Sequence, residues 1–218
     1  MKKLKILSVL TVVIAVSLLS CKKRETEITP LASLQVVNAV TGGEALKFGT
    51  NAATIAAYSA TTFGVLTGNH QVKLETSGTV YYDKKHDFVN GGLYSLFLGG
   101  TPAAVEPVFV KEENVVPHTE NVFGLRVINL AAGSGAVSVN LAGAANGSLI
   151  PGIAYKAISD FKKVPAVAEE GDKTFEFRNA ETGKLLASFD VPNYDLPRFR
   201  NITLVLTKDG RIVKVTHY

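Results

Sequence analysis

Two stretches of nearly the same strand chemistry, Leu34-Gln-Val-Val-Asn38 and Leu125-Arg-Val-Ile-Asn129, recur in this chain with the same punctuation after them. Each is followed by a Gly-containing turn ("AVTGGEA", "LAAGSGA") and a second short strand ("LKFG", "VSVNLAG"). Further on, Ala57-Tyr-Ser-Ala60 is echoed by Ala154-Tyr-Lys-Ala157, and "GNHQVKLETSG" from Gly68 by "GDKTFEFRNAETG" from Gly171. Both halves then close on an apolar strand, "LYSLFLGG" from Leu93 and "NITLVLTKDG" from Asn201. Echoes in the same order mark a duplication, and a duplication fixes the architecture before any single element is assigned.

The repeated segments are strands with one wet face. Val72 and Leu74 alternate with Gln71, Lys73 and Glu75; Phe175 and Phe177 alternate with Thr174, Glu176 and Arg178; Val137, Val139 and Leu141 alternate with Ser138 and Asn140. This period of two is the signature of antiparallel sheets packed on one side. Asp209-Gly210 supplies a favoured turn pair for a C-terminal hairpin. The segment 51–60 is Ala-rich and fits a short helix, although its counterpart carries Pro151 and Gly152. Asp160–Glu170 reads as a strand followed by a loop. A Pro-rich join with the charged "KEEN" lies between Gly99 and Asn121, and the boundary falls near Pro117. The expected fold is all-β: two tandem immunoglobulin-like antiparallel β-sandwiches of about seven strands each, over 31–117 and 118–218.

The N-terminus sets the address. A basic start, Met-Lys-Lys-Leu-Lys, precedes the uncharged run Ile6–Ser20, which is too short to span a bilayer as a helix and fits a secretory signal peptide over 1–20. Leu18-Leu-Ser-Cys21 resembles the lipobox of bacterial lipoproteins, with Leu19 bulkier than the usual small residue. That resemblance implies cleavage before Cys21, lipidation of its thiol, and a polar tether over 21–30. Cys21 is the only cysteine, so lipidation leaves no thiol for a disulfide, a metal or a nucleophile. Three of the charges behind the formal +4 leave with Lys2, Lys3 and Lys5. The mature chain is then nearly neutral, with no basic stripe for nucleic acid. Lys22 stands after the cysteine, where enteric inner-membrane lipoproteins carry Asp; this favours the outer membrane, with surface or periplasmic exposure left open.

The openings "ASLQVVNAV" and "FGLRVINLA", with the later Y…G-x-H-x-V-x-L pattern, resemble a bacterial family of repeated domains of unknown function, common in secreted proteins and lipoproteins of Bacteroidetes. The resemblance covers nearly all of the mature chain and implies immunoglobulin-like sandwiches without a catalytic apparatus. The family favours an acidic residue between two apolar ones. Here the positions read Leu46-Lys47-Phe48 and Val137-Ser138-Val139, and Gly-rich turns replace its Pro-Asp turns.

No motif points to catalysis, a metal or a cofactor. The four histidines, His70, His86, His118 and His217, form neither H-x-H nor H-E-x-x-H. Asp83, His86 and Asp87 in "DKKHD" are the only local cluster of possible ligands and read as a polar loop between the strands "TVYY" and "FVNGGLYSLF"; in a hairpin loop the three could converge, whereas on a strand His86 points away from the two acids. Glu112-Glu113 and Glu169-Glu170 read as solvated loop charges. The loop "NYDLPRF" carries the candidate ligand-binding residues Tyr194, Asp195, Arg198 and Phe199. The expected function is a non-enzymatic cell-envelope lipoprotein, joined to the membrane through its lipid, that displays the sandwiches for binding or adhesion to a protein or glycan. A pilus-like or stalk subunit assembling by strand exchange is the alternative, and a cryptic hydrolase a distant third.

Overall fold

In the computed structural model the described residues are 29–217, apart from 52, 114, 116 and 168–170. Cys21 and the expected lipobox and signal peptide, with most of the expected tether, lie outside them, as do Glu169 and Glu170. The first half contains β1 (Leu31–Asn38), β2 (Leu46–Phe48), β3 (Thr54–Ile55), β4 (Ser59–Leu66), β5 (Gly68–Glu75), β6 (Val80–Phe88), β7 (Leu93–Thr101) and β8 (Ala104–Lys111). The second contains β9 (Val122–Asn129), β10 (Val137–Leu141), β11 (Ile150–Ile153), β12 (Lys162–Pro165), β13 (Lys173–Asn179), β14 (Leu185–Val191), β15 (Asn201–Leu206) and β16 (Ile212–His217).

The first half forms sheets β4-β1-β7-β8 and β3-β2-β5-β6, and the second forms β12-β9-β15-β16 and β11-β10-β13-β14. The strand orders are the same, strand for strand, and among the described residues no strand of one half pairs with a strand of the other. Each half is a sandwich with its own core. Leu34, Val36, Leu46, Leu74 and Leu96 fill the first, and Phe123, Leu125, Val139, Phe175 and Phe177 the second.

The details depart from the expected pattern. There are eight strands in four-plus-four order, where the seven-strand immunoglobulin arrangement is ABED on CFG. The sheets are not purely antiparallel either: β1 pairs with β7, and β9 with β15, in parallel. The chain leaves each first strand, runs through five others, and returns to the same end. Residues 53–60 form strand, turn and strand rather than a helix. The turn passes through Tyr58 with φ at 56°, and its counterpart through Lys156 at 62°. The sequence echo set Tyr58 against Tyr155, one residue out of register. Part of the expected join is strand β8, eight residues long.

The repeated asparagine has a physical role. Asn38 and Asn129 are fully buried at the ends of β1 and β9. The Asn38 amide donates to the Glu44 carbonyl at 2.8 Å, and that of Asn129 to Gly135 and Ile153 at 3.1 and 3.2 Å. Each amide thereby gives a hydrogen-bond partner to backbone carbonyls outside its own sheet.

A third core joins the halves. Val37, Ala39 and Phe97 on the outer face of the first sandwich pack against Ile128, Leu130, Val205, Val213 and Val215 of the second. The sheets containing β1 and β9 are therefore covered on both faces. The contact is close to two-fold: Val37 and Ile128, Ala39 and Leu130, and Phe97 and Val205 are counterparts in the strand-for-strand alignment. The Arg211 guanidinium lies 4.4 Å from the Tyr58 ring centroid, and at the corresponding place Lys156 Nζ meets Glu106 at 2.7 Å. This is an isologous interface built within one chain.

Candidate functional site

Two features combine chemistry with defined geometry: a polar cluster between the sandwiches and the loop between β14 and β15.

The cluster centres on Arg126 of β9, whose alternation puts it on the outer face of its sheet, where the first sandwich covers it. Its guanidinium makes a two-pronged pair with Glu112, 2.7 Å on each side, and both side chains are almost wholly buried. Arg126 Nε donates to Thr203 Oγ1 at 2.9 Å, and that oxygen lies 2.7 Å from His217 Nε2. Arginine only donates, and Arg126 Nη2 also lies 3.5 Å from His217 Nε2, an arrangement that suits a bare Nε2 accepting from the Thr203 hydroxyl. Burial, then the Arg126 charge, push the His217 imidazole down to about 4. Burial pushes the Glu112 carboxyl up, but the Arg126 hydrogen bond and charge outweigh it and hold the group below its ordinary value. Phe161 closes the outside, with Arg126 4.5 Å from its ring centroid. Ser95 Oγ, buried on the other side, faces the carboxylate without meeting hydrogen-bond geometry.

This cluster corrects the reading of Glu112 as a solvated loop charge. The residue follows β8 directly, and its backbone N–H donates to the Leu93 carbonyl at 2.8 Å, which draws it under the second sandwich. A groove of about 430 Å³ opens beside it, lined by Lys111, Glu113, Arg126, Asp160 and Phe161 among others. An ionised carboxylate locked to an arginine is a poor general acid or base at neutral pH, so the pair acts as a clasp between sandwiches. Sequence reasoning missed Arg126, Thr203, Phe161 and His217. The available signal was a charge inside the otherwise apolar run "VFGLRVINLA".

Of the predicted loop residues, Tyr194 and Asp195 lie in a single 3₁₀ turn, Asn193–Asp195. Arg198 holds the loop together. Its guanidinium donates to the Ala166 carbonyl at 2.8 Å, the Asn193 carbonyl at 3.1 Å and the Asn193 side chain at 2.8 Å. Asp195 pairs with Lys214 at 2.5 Å. Phe199 is half-exposed with φ at 66°; its N–H donates to Val122 at 2.9 Å and its carbonyl accepts from His118. Tyr194 stands out 89% exposed from this tied backbone. The structure thus brings Tyr194, Asp195 and Arg198 around an open groove of about 290 Å³ with Arg200 and Lys214. Arg198 serves as scaffold, and Phe199 is outside that lining.

The sequence matches no protein-family model and no curated protein.

The "DKKHD" segment, expected as a loop, is the middle of strand β6, because it pairs residue for residue with β5. Asp83 and Asp87 lie on one face of β6, held by Gln71 and Asn69. His86 lies on the other, stacked 3.8 Å from Phe109 and 2.6 Å from the Tyr82 hydroxyl. No group of three metal-ligating side chains occurs among the described residues. Tyr81, Tyr82 and Tyr94 are buried, and the Tyr155 hydroxyl donates to Glu106 across the interface.

Proposed function

We propose that this chain is a non-enzymatic lipoprotein of the cell envelope, anchored through Cys21 at the outer membrane, whose paired sandwiches display binding loops. The observation that carries the reading is the side-by-side locking of the halves with like ends together. Thr41, just past β1, meets Asp209, in the β15–β16 turn, at 3.4 Å. From the middle of β1, Gln35 donates to the carbonyl of Thr216, which pairs with the start of β15, at 3.2 Å. The body therefore has one end where the chain arrives at Leu31 and one opposite end made of turns. The loop Tyr194–Phe199 precedes β15, whose start lies beside the start of β9, so it belongs to the arrival end. Rigid presentation of an aromatic suits recognition, because little freedom remains to be lost on binding.

Metabolic labelling with a palmitate analogue tests the anchor. Wild-type protein should take up label, and Cys21→Ser should not. Unlabelled wild-type protein, or a labelled serine variant, sinks the reading.

A further inference from the structure

We infer that the arrival end of the paired sandwiches is a membrane-docking base, seated on the bilayer that holds Cys21; this rests on the lipoprotein reading above. Leu31 of β1 pairs directly with Leu66 of β4, and Leu93 starts the neighbouring β7, opposite Ser33. These three leucines, with Val89 on the turn before β7, are 39% to 52% exposed. No charged residue lies in 29–31, 66–69 or 89–93, and the exposed Lys111–Glu113 ion pair at the end of β8 borders the patch beside Leu93. At the same end of the second sandwich stand the exposed Tyr194 and Phe199, with Arg200 beside them. Isolated exposed aliphatic residues are ordinary on any protein. Here, among the described residues, six of the eight large exposed hydrophobics share one end, and only Val80 and Leu185 lie at the other.

The length of the tether chooses the occupant. From Cys21 to Thr29 the chain takes eight steps, at most roughly 28 Å when fully extended. A strand of nine residues is about 30 Å long. The base is thus held within one body length of the lipid, and an aliphatic patch beside it faces the bilayer at high local concentration. Leucine and valine suit shallow insertion, tyrosine and phenylalanine suit the headgroup boundary, and Arg200 suits lipid phosphate. The loop Tyr194–Phe199 then has the headgroup layer as its partner.

Lipidation of Cys21 leaves no free thiol in the mature chain, so a single introduced cysteine can carry an environment-sensitive fluorophore. Full-length lipidated protein with the probe at Val89→Cys, or at Val80→Cys on the opposite end, is placed in vesicles containing headgroup-region nitroxide lipids. The expected result is at least threefold quenching at Val89 and little at Val80. Absence of quenching at Val89 in protein that carries palmitate label overturns the docking base while leaving the lipoprotein reading intact. Absence of palmitate label removes that reading instead. Equal quenching at both positions means the body lies flat, and a shielded but unquenched Val89 probe means a protein covers the patch; either overturns the proposal.

Discussion

Glu112 and Arg126 give up most of their hydration to meet between the sandwiches. Such a pair adds little over a well-packed apolar replacement, but breaking it strands a buried charge at a cost of about 3–5 kcal/mol. Glu112→Ala should therefore lower unfolding stability in urea by roughly that amount, and Arg126→Met in the same chain should recover most of the loss. A loss below about 1 kcal/mol would show the pair to be hydrated. His217 gives the cluster a pH dependence. The unfolded imidazole takes a proton near pH 6.5 and the folded one only near 4. Between those values the unfolded state binds a proton that the native state refuses, so stability is complete above about 6.5 and falls toward 4. The span corresponds to something on the order of 3 kcal/mol. Glu112, held below its ordinary value, adds loss in the same direction at lower pH. Unfolding at pH 7.5, 5.5 and 4 should show the slope in the wild type and a much shallower one in His217→Gln; equal slopes would remove His217 from the account.

At the scale of elements, burial on both faces distinguishes β7, β9 and β15 from their neighbours. The sequence shows this as near-continuous apolar runs, as expected of strands enclosed by two layers. Gly99 in β7 marks how closely the layers approach. A Cβ placed there would lie 2.9 Å from the Leu130 Cβ of the other sandwich. Gly99→Val should overpack this contact and cost about 1–3 kcal/mol. Gly78→Val, in a turn with nothing within 4 Å, should stay near neutral. Thermal unfolding of the two variants checks the difference, and equal midpoints would mean that the interface yields freely.

For the whole molecule, each sandwich owns a core, yet neither is finished without the other. A fragment from His118 to Tyr218 should fold, with a β-type circular dichroism spectrum. It would expose Ile128, Leu130, Val205, Val213 and Val215, the face that the first half covers. Because the native contact is nearly two-fold, two fragments can satisfy each other in the same way. Size-exclusion chromatography should show a dimer, and Val205→Asp should make it a monomer. An unfolded fragment, or a monomer with the native face intact, contradicts this. Proteolysis in the segment after β8 should likewise leave two pieces that stay together until denatured.

Strand chemistry was open to reading along the chain because alternation records which faces are apolar. Val72 with Leu74 and Phe175 with Phe177 gave the inner faces of β5 and β13, and the paired Leu-x-Val-x-Asn openings gave the duplication. The candidate loop was visible as two aromatics and a proline between strands, but Arg198 looked like a contact residue when it is the brace. What covers an outer face is not written in its period. Glu112 reads as a loop charge and Arg126 as a lone charge in an apolar strand, and they are buried because the two sandwiches close over them. The sequence determined two sandwiches and a lipobox-like start. Only tertiary packing decided that the sandwiches share a third core, with like ends together, because that arrangement depends on the fit of two distant surfaces.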